Sequence, residues 1–138
     1  GVRAVIAASA RADVLVDAAN DLDVGTTFMP NDRKLSARKL WIGFASLVEG
    51  SVTVDDGARR ALLERGTSLL PAGVVDVTGA FDAGDVVEIR DLQGVTIARG
   101  MALVDSEVMR SIMGKRTTDL PENIAHEAVH RDDLMILV

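Results

Sequence analysis

Cysteine is absent from the 138 residues. That removes disulfide frameworks, thiolate metal sites and thiol nucleophiles at once, and it suits a reducing compartment. Tyrosine is absent too, and there are only three phenylalanines and one tryptophan. A core must therefore be built from Val, Leu, Ile and Ala, with little aromatic stacking. No apolar run is long enough to cross a bilayer, which takes about 20 residues in a helix; runs such as residues 2–8 are far shorter. The start of the chain also lacks the basic, apolar and cleavage regions of a signal peptide in order. The expectation is a soluble cytoplasmic protein with no membrane contact.

What is present supports a folded domain. Hydrophobic residues make up 48% of the chain, enough for a real core and too many for a disordered tail. Charge is unevenly spread. Residues 1–50 carry six basic and six acidic side chains, whereas residues 51–138 carry nine basic against fifteen acidic. The second part thus holds the whole net charge of −6. Nucleic-acid binders usually show the opposite sign, because neutralising phosphates supplies much of their affinity.

Residues 2–8 and 24–28 have the β-branched, apolar character of strands. Between them, apolar residues at 14, 15, 18 and 19 follow helix spacing. Strand, helix and strand suggest a β-α-β unit, which normally sits inside a larger sheet. Because the chain opens on the first strand, its N-terminal part is expected to be cut from something longer. Residues 38–44 read as a third strand and 46–50 as a connector, so the domains are expected at 1–48 and 51–138.

In the second part, Thr53-Val54-Asp55-Asp56 fits a capping box. Val54, Ala58, Ala61 and Leu62 then share one helical face, and Gly66 is placed to stop the helix. The period next changes to strands and turns: Val74, Val75, Val77 and Phe81 among Pro71, Gly73 and Gly79, then turns at 82–85 and 92–94 flanking inward Val87 and Ile89. Residues 95–102 return as the partner strand. Ser106 is placed to cap a short helix with Val108, Met109 and Ile112 on its apolar side, ended by Gly114. Val129 and residues 134–138 supply one or two closing strands. The order predicts a small mixed barrel, mainly β.

Three patterns invite a sharper chemistry. His126-Glu127-Ala128-Val129-His130 spells the H-E-x-x-H signature of zinc metalloproteases, which requires both imidazoles on one helix face. There are only two histidines, and the β-rich setting favours a strand, on which positions four apart lie roughly 13 Å from each other. No metal site is expected, and Arg131, Asp132 and Asp133 read as a chain-end salt-bridge or capping feature. Ser36-Ala37-Arg38-Lys39 matches S-x-x-K without its partner motifs. Arg33, Lys34, Arg38 and Lys39 form the only basic cluster, read as a strand edge protected by charge.

Gly66-Thr67-Ser68-Leu69-Leu70-Pro71-Ala72-Gly73-Val74, Val77-Thr78-Gly79-Ala80-Phe81, Gly84-Asp85-Val86-Val87 and Ile97-Ala98-Arg99-Gly100 together resemble the PUA domain. Val54-Asp55-Asp56-Gly57-Ala58 with Ser68-Leu69-Leu70-Pro71, and the terminal Val129-His130-Arg131-Asp132-Asp133, are similar to the PUA domain of the glutamate 5-kinase family. Gly25-Thr26-Thr27-Phe28 and Arg38-Lys39-Leu40-Trp41-Ile42 resemble the last strands of that family's amino-acid-kinase domain.

The resemblance implies a PUA-type barrel preceded by a β-α-β remnant of an α/β amino-acid-kinase domain. It implies a parent enzyme that phosphorylates L-glutamate with ATP and Mg²⁺, the first step toward proline, and that forms a homo-oligomer. The glycine-rich and Gly-Gly-Met-x-Thr-Lys-type loops that grip phosphate in the family are not in this sequence. Residues 1–138 are thus expected to hold no catalytic, ATP-binding or metal residue, and the barrel is expected to be accessory or regulatory. The alternative is an RNA-binding PUA domain of an RNA-modifying protein. By analogy its contacts would be Arg65, Gly66, Gly73 and Arg99, with few cations and no aromatic ring for stacking.

Overall fold

The structure, a computed structural model, describes residues 4–7, 25–28 and 35–138. The chain divides into two compact units, Gly1–Leu35 and Ser36–Val138. In the first, β1 (Ala4–Ala7) pairs with β2 (Gly25–Phe28) antiparallel, Ala4 opposite Phe28 and Ala7 opposite Gly25. A β-α-β unit joins parallel strands, so the pairing departs from that expectation; the helix expected at 13–19 lies outside the described residues.

Residues 36–48, expected with the first segment, belong instead to the second unit. The strand expected at 38–44 is helical: α1 (Ala37–Leu40) runs into a π-helical turn, Trp41–Ala45. Ser36 explains the start, since its hydroxyl accepts the Lys39 N–H and caps the helix. The S-x-x-K match is therefore a cap. Only Ile42 and Gly43 of the π turn are buried. Residues 38–44 end in the apolar run Leu40–Phe44, which suits a buried strand as well as a helix, but this segment lies on the sheet and buries two consecutive residues.

The sheet of the second unit has five strands in the order β4-β3-β5-β6-β7. They are β3 (Gly50–Val54), β4 (Val74–Gly79), β5 (Val86–Arg90), β6 (Thr96–Ala102) and β7 (Val129–Ile136). β3 runs parallel to β5, with Val52 opposite Ile89, and every other pairing is antiparallel. β3 takes up residues that sequence spacing assigned to a connector and a capping box. Val52 and Val54 are fully buried, so the β-branched run 51–54 is sheet. The cap moves two positions on: Asp55 accepts the Ala58 N–H at 2.7 Å and opens α2 (Asp56–Arg65). Gly66 ends that helix in the left-handed region at φ 60°.

Turns at 82–85 and 92–94 fall where expected. Asp85 caps the first through the Asp82 N–H. Buried Asp91 organises the second, accepting the N–H groups of Gln93 and Val95. The short helix α3 (Ser106–Ile112) is capped by Asp105 through the Val108 N–H, not by Ser106. Ser106 instead turns inward and accepts from the Phe81 N–H. The core between the sheet and these helices is aliphatic: Val52, Val54, Leu62, Leu69, Val87, Ile89, Ile97, Met109, Ile112 and Val129, with Phe81 as its buried ring.

Candidate groove beside the second helix

The second helix and the start of β7 enclose a groove of about 720 Å³. One wall is a single face of α2: Ala58, Ala61, Leu62 and Arg65, spaced three and four apart as helix geometry requires. The other is the 67–73 loop. Leu69 and Val129 stitch that loop to β7, with the Leu69 N–H donating to the Val129 carbonyl and the Ala128 N–H to the Leu69 carbonyl. His130 and Arg131 close the end.

Gly73 sits where loop and helix meet. A Cβ there would collide with the side chain of Ala58, while its carbonyl accepts the Asp55 N–H at 3.0 Å. Glycine is required by this close approach. Arg65 and Gly73 therefore line the groove, and Gly66 lies next to Arg65 on the exposed turn that ends α2.

Arg99 does not join them. Its guanidinium donates to the Gly43 carbonyl at 2.9 Å and lies 3.6 Å from Glu88. It serves the contact between the π turn and the sheet. In its place the groove holds Ser68, His130 and Arg131, which sequence reasoning did not join. Ser68 and Arg131 are far apart in sequence yet bonded, the Arg131 N–H donating to the Ser68 hydroxyl. The H-E-x-x-H spelling drew notice to His130 for the wrong chemistry, and the terminal resemblance named it without a role.

That motif is not helical. His126 is exposed in an irregular segment, while His130 is on β7. The His130 ring accepts the Asp132 N–H on Nδ1, and its Nε2 lies 3.9 Å from Glu127. Asp133 pairs with Arg38 at 2.7 Å, so that basic side chain is an inter-element tie; Arg33 and Lys34 lie outside the described residues. Among the described residues no group of three or more His, Asp or Glu side chains could hold a metal ion. Among them, too, no helix is long and apolar enough to cross a membrane.

Among the described residues, the carboxylate whose acidity clearly departs from the ordinary is Glu88, outside the groove. Hydrogen bonding from Arg90 holds it below the ordinary glutamate range against the opposing effect of burial; the charge of Arg90, the Thr96 hydroxyl and the charge of Arg99 add to this. A depressed value in the folded state means that ionised Glu88 favours folding. The contribution is complete above about pH 4.3, the ordinary glutamate value, and is lost as pH falls through the lower folded value. Thermal melts of Glu88→Gln should thus show a deficit at pH 7 that shrinks below about pH 4. A deficit independent of pH would remove Glu88's charge from the account.

The PUA domain family model matches residues 50–123, more than half of the chain and the whole sheet up to β7. The chain belongs to the PUA domain family. Curated relatives extend the match. The PUA chain is 45% identical over 135 residues to the glutamate 5-kinase of Mycolicibacterium smegmatis, covering 98% of this chain and 36% of that one. It is 41% identical over 141 residues to that of Photobacterium profundum, covering 99% and 37%. It thus spans about a third of the length of the relatives it matches. Among solved structures it is similar to a PUA domain from Aeropyrum pernix K1 in complex with tartrate, at 35% identity and a TM-score of 0.48, covering 60% of this chain and 43% of that one.

Proposed function

We propose that the chain is the C-terminal portion of a glutamate 5-kinase. The whole enzyme would transfer the γ-phosphoryl group of ATP, with Mg²⁺, to the γ-carboxylate of L-glutamate, the first step toward proline in the cytoplasm. The PUA unit serves as an accessory, regulatory module. The observation that carries this is the reach of the similarity. Identity of 41–45% covers 98–99% of the chain, whereas the PUA family accounts for residues 50–123 alone. A PUA domain borrowed by an unrelated protein would match such relatives only over that inner segment.

Phosphoryl transfer depends on positioned donors and metal around the moving phosphate. The groove offers two exposed arginines, a histidine and two carboxylates, which is not such a constellation. The domain boundary we propose places residues 1–48 with the kinase fold in evolutionary terms, even though 36–48 pack on the sheet. Incubated with ATP, Mg²⁺, glutamate and hydroxylamine, the chain alone should yield no γ-glutamyl hydroxamate, and it should bind ATP more weakly than micromolar. Hydroxamate above the no-enzyme blank would refute the accessory role.

RNA binding is the second reading, favoured by Arg65, His130 and Arg131 meeting at one groove. Three features weigh against it. Asp55 and Glu127 share the lining, no Phe, Tyr or Trp ring is there to stack a base, and residues 51–138 carry the whole net charge of −6.

A further inference from the structure

Residues 36–46, which open the second compact unit, are held to its sheet in an unusual way. Their last helical turn is π-type, a rare geometry that occurs mostly as single turns within α-helices and frequently at functional sites. Any helix leaves its final carbonyls without partners inside the helix, and this one has no glycine in the left-handed region to close it. Ser46 deals with two of them: its N–H donates to the Trp41 carbonyl at 2.9 Å and its hydroxyl to the Ile42 carbonyl at 2.8 Å. The Gly43 carbonyl takes its hydrogen from Arg99 on β6. A cation at a helix C-terminus also meets the favourable end of the helix dipole. The segment's C-terminal cap is thus completed by the sheet.

Arg99 is itself aimed. Glu88 lies directly opposite it on β5. One Glu88 oxygen is committed to Arg90 Nε and Nη2 and to the Thr96 hydroxyl, and the other faces Arg99. The Arg99 Nε is buried without a partner, so the guanidinium keeps this pose while leaving one of its own donors unsatisfied. Around it the fit is close. Ile42 is fully buried, and a Cβ at Gly43 would meet Met135 Cγ at 2.8 Å. At the other end Arg38 pairs with Asp133.

We propose that Arg99 is a latch: it switches residues 36–46 between a docked helical strap and a released segment, with Glu88 setting its aim. The strap is ordered only while the sheet supplies the cap. Its order is therefore a property of the outer side of β5-β6-β7, and anything that moves Arg99 frees the strap without unfolding the sheet.

Hydrogen exchange on the full chain tests this, with Trp41, the single tryptophan, as a second reporter inside the strap. In Arg99→Met, amides of residues 41–46 should exchange about tenfold faster or more, while those of Val52 and Ile89 keep the parent rates. Trp41 fluorescence anisotropy should fall in parallel. Unchanged exchange at 41–46 would overturn the latch. So would a rise spread evenly through the sheet, which would make Arg99 an ordinary stabilising residue. Should Arg99→Met fail to fold, Arg99→Lys carries the test: a rise of about threefold or more confined to 41–46 is expected, and none would overturn the proposal.

Discussion

Ile89→Ala is expected to lower the thermal midpoint of the sheet unit by on the order of 10 °C or more, the largest single-residue loss among its aliphatic positions. Ile89 is fully buried. It sits on β5, between β3 and β6, opposite Val52 on one side and Ala98 on the other. Truncation removes three carbons from a site whose walls are strand backbones on both flanks, so the cavity can collapse only slightly. Leucine or isoleucine to alanine at such sites costs about 2–5 kcal/mol. A core with one buried ring has no large neighbour ready to swing into the gap. Leu47→Ala is the control: Leu47 is 83% exposed, and the change should stay within about 0.5 kcal/mol. Equal shifts for the two variants would mean that the β3-β5-β6 layer is not the stabilising centre.

How far the fold could be read from sequence follows from where its instructions are local. The helix 56–65 was visible because its apolar face and its glycine stop lie within one stretch. The 82–85 and 92–94 turns and the β5-β6 hairpin were visible for the same reason. The strand 50–54 was missed because Thr53 and Asp56 mimic a capping box, and only burial of Val54 between neighbouring strands decides for sheet. Residues 37–45 failed differently. Their short apolar run suits a strand as well as a helix, and one contact that holds the helical form on the sheet comes from Arg99, more than fifty positions away. Parallel pairing of β3 with β5 is likewise a long-range fact, with β4 lying between them in sequence.

The candidate site shows the same division. Arg65 and Gly73 were found from the helix and its following loop, both local features. His130, Arg131 and Ser68 were not, because they meet only through the Leu69–Val129 bridge. Arg99 was drawn toward the groove by family analogy, and its Gly43 and Glu88 contacts place it elsewhere. Spacing alone carries no record of which side of a strand a residue will use once the strand has neighbours on both edges.

The most direct test of the accessory role is a chimera. In the Mycolicibacterium smegmatis glutamate 5-kinase, the portion matched by this chain, 36% of its length, is replaced by residues 1–138. The matched stretch includes residues outside the PUA segment, so it must complete the relative's fold as well as append a domain. If this chain is the equivalent part of such an enzyme, its strands and strap will support the relative's phosphate-gripping loops. Activity is then restored by fit if, as proposed, the chain brings no catalytic group of its own. Hydroxamate trapping of γ-glutamyl phosphate is the readout, with the intact relative, the relative lacking the matched portion, and residues 1–138 alone run beside it. The account predicts ATP- and glutamate-dependent product from the chimera at least about tenfold above the truncated relative, a recovery of roughly 1.4 kcal/mol or more in barrier height, and none from residues 1–138 alone. A folded chimera no more active than the truncated relative, while the intact relative turns over, would contradict it.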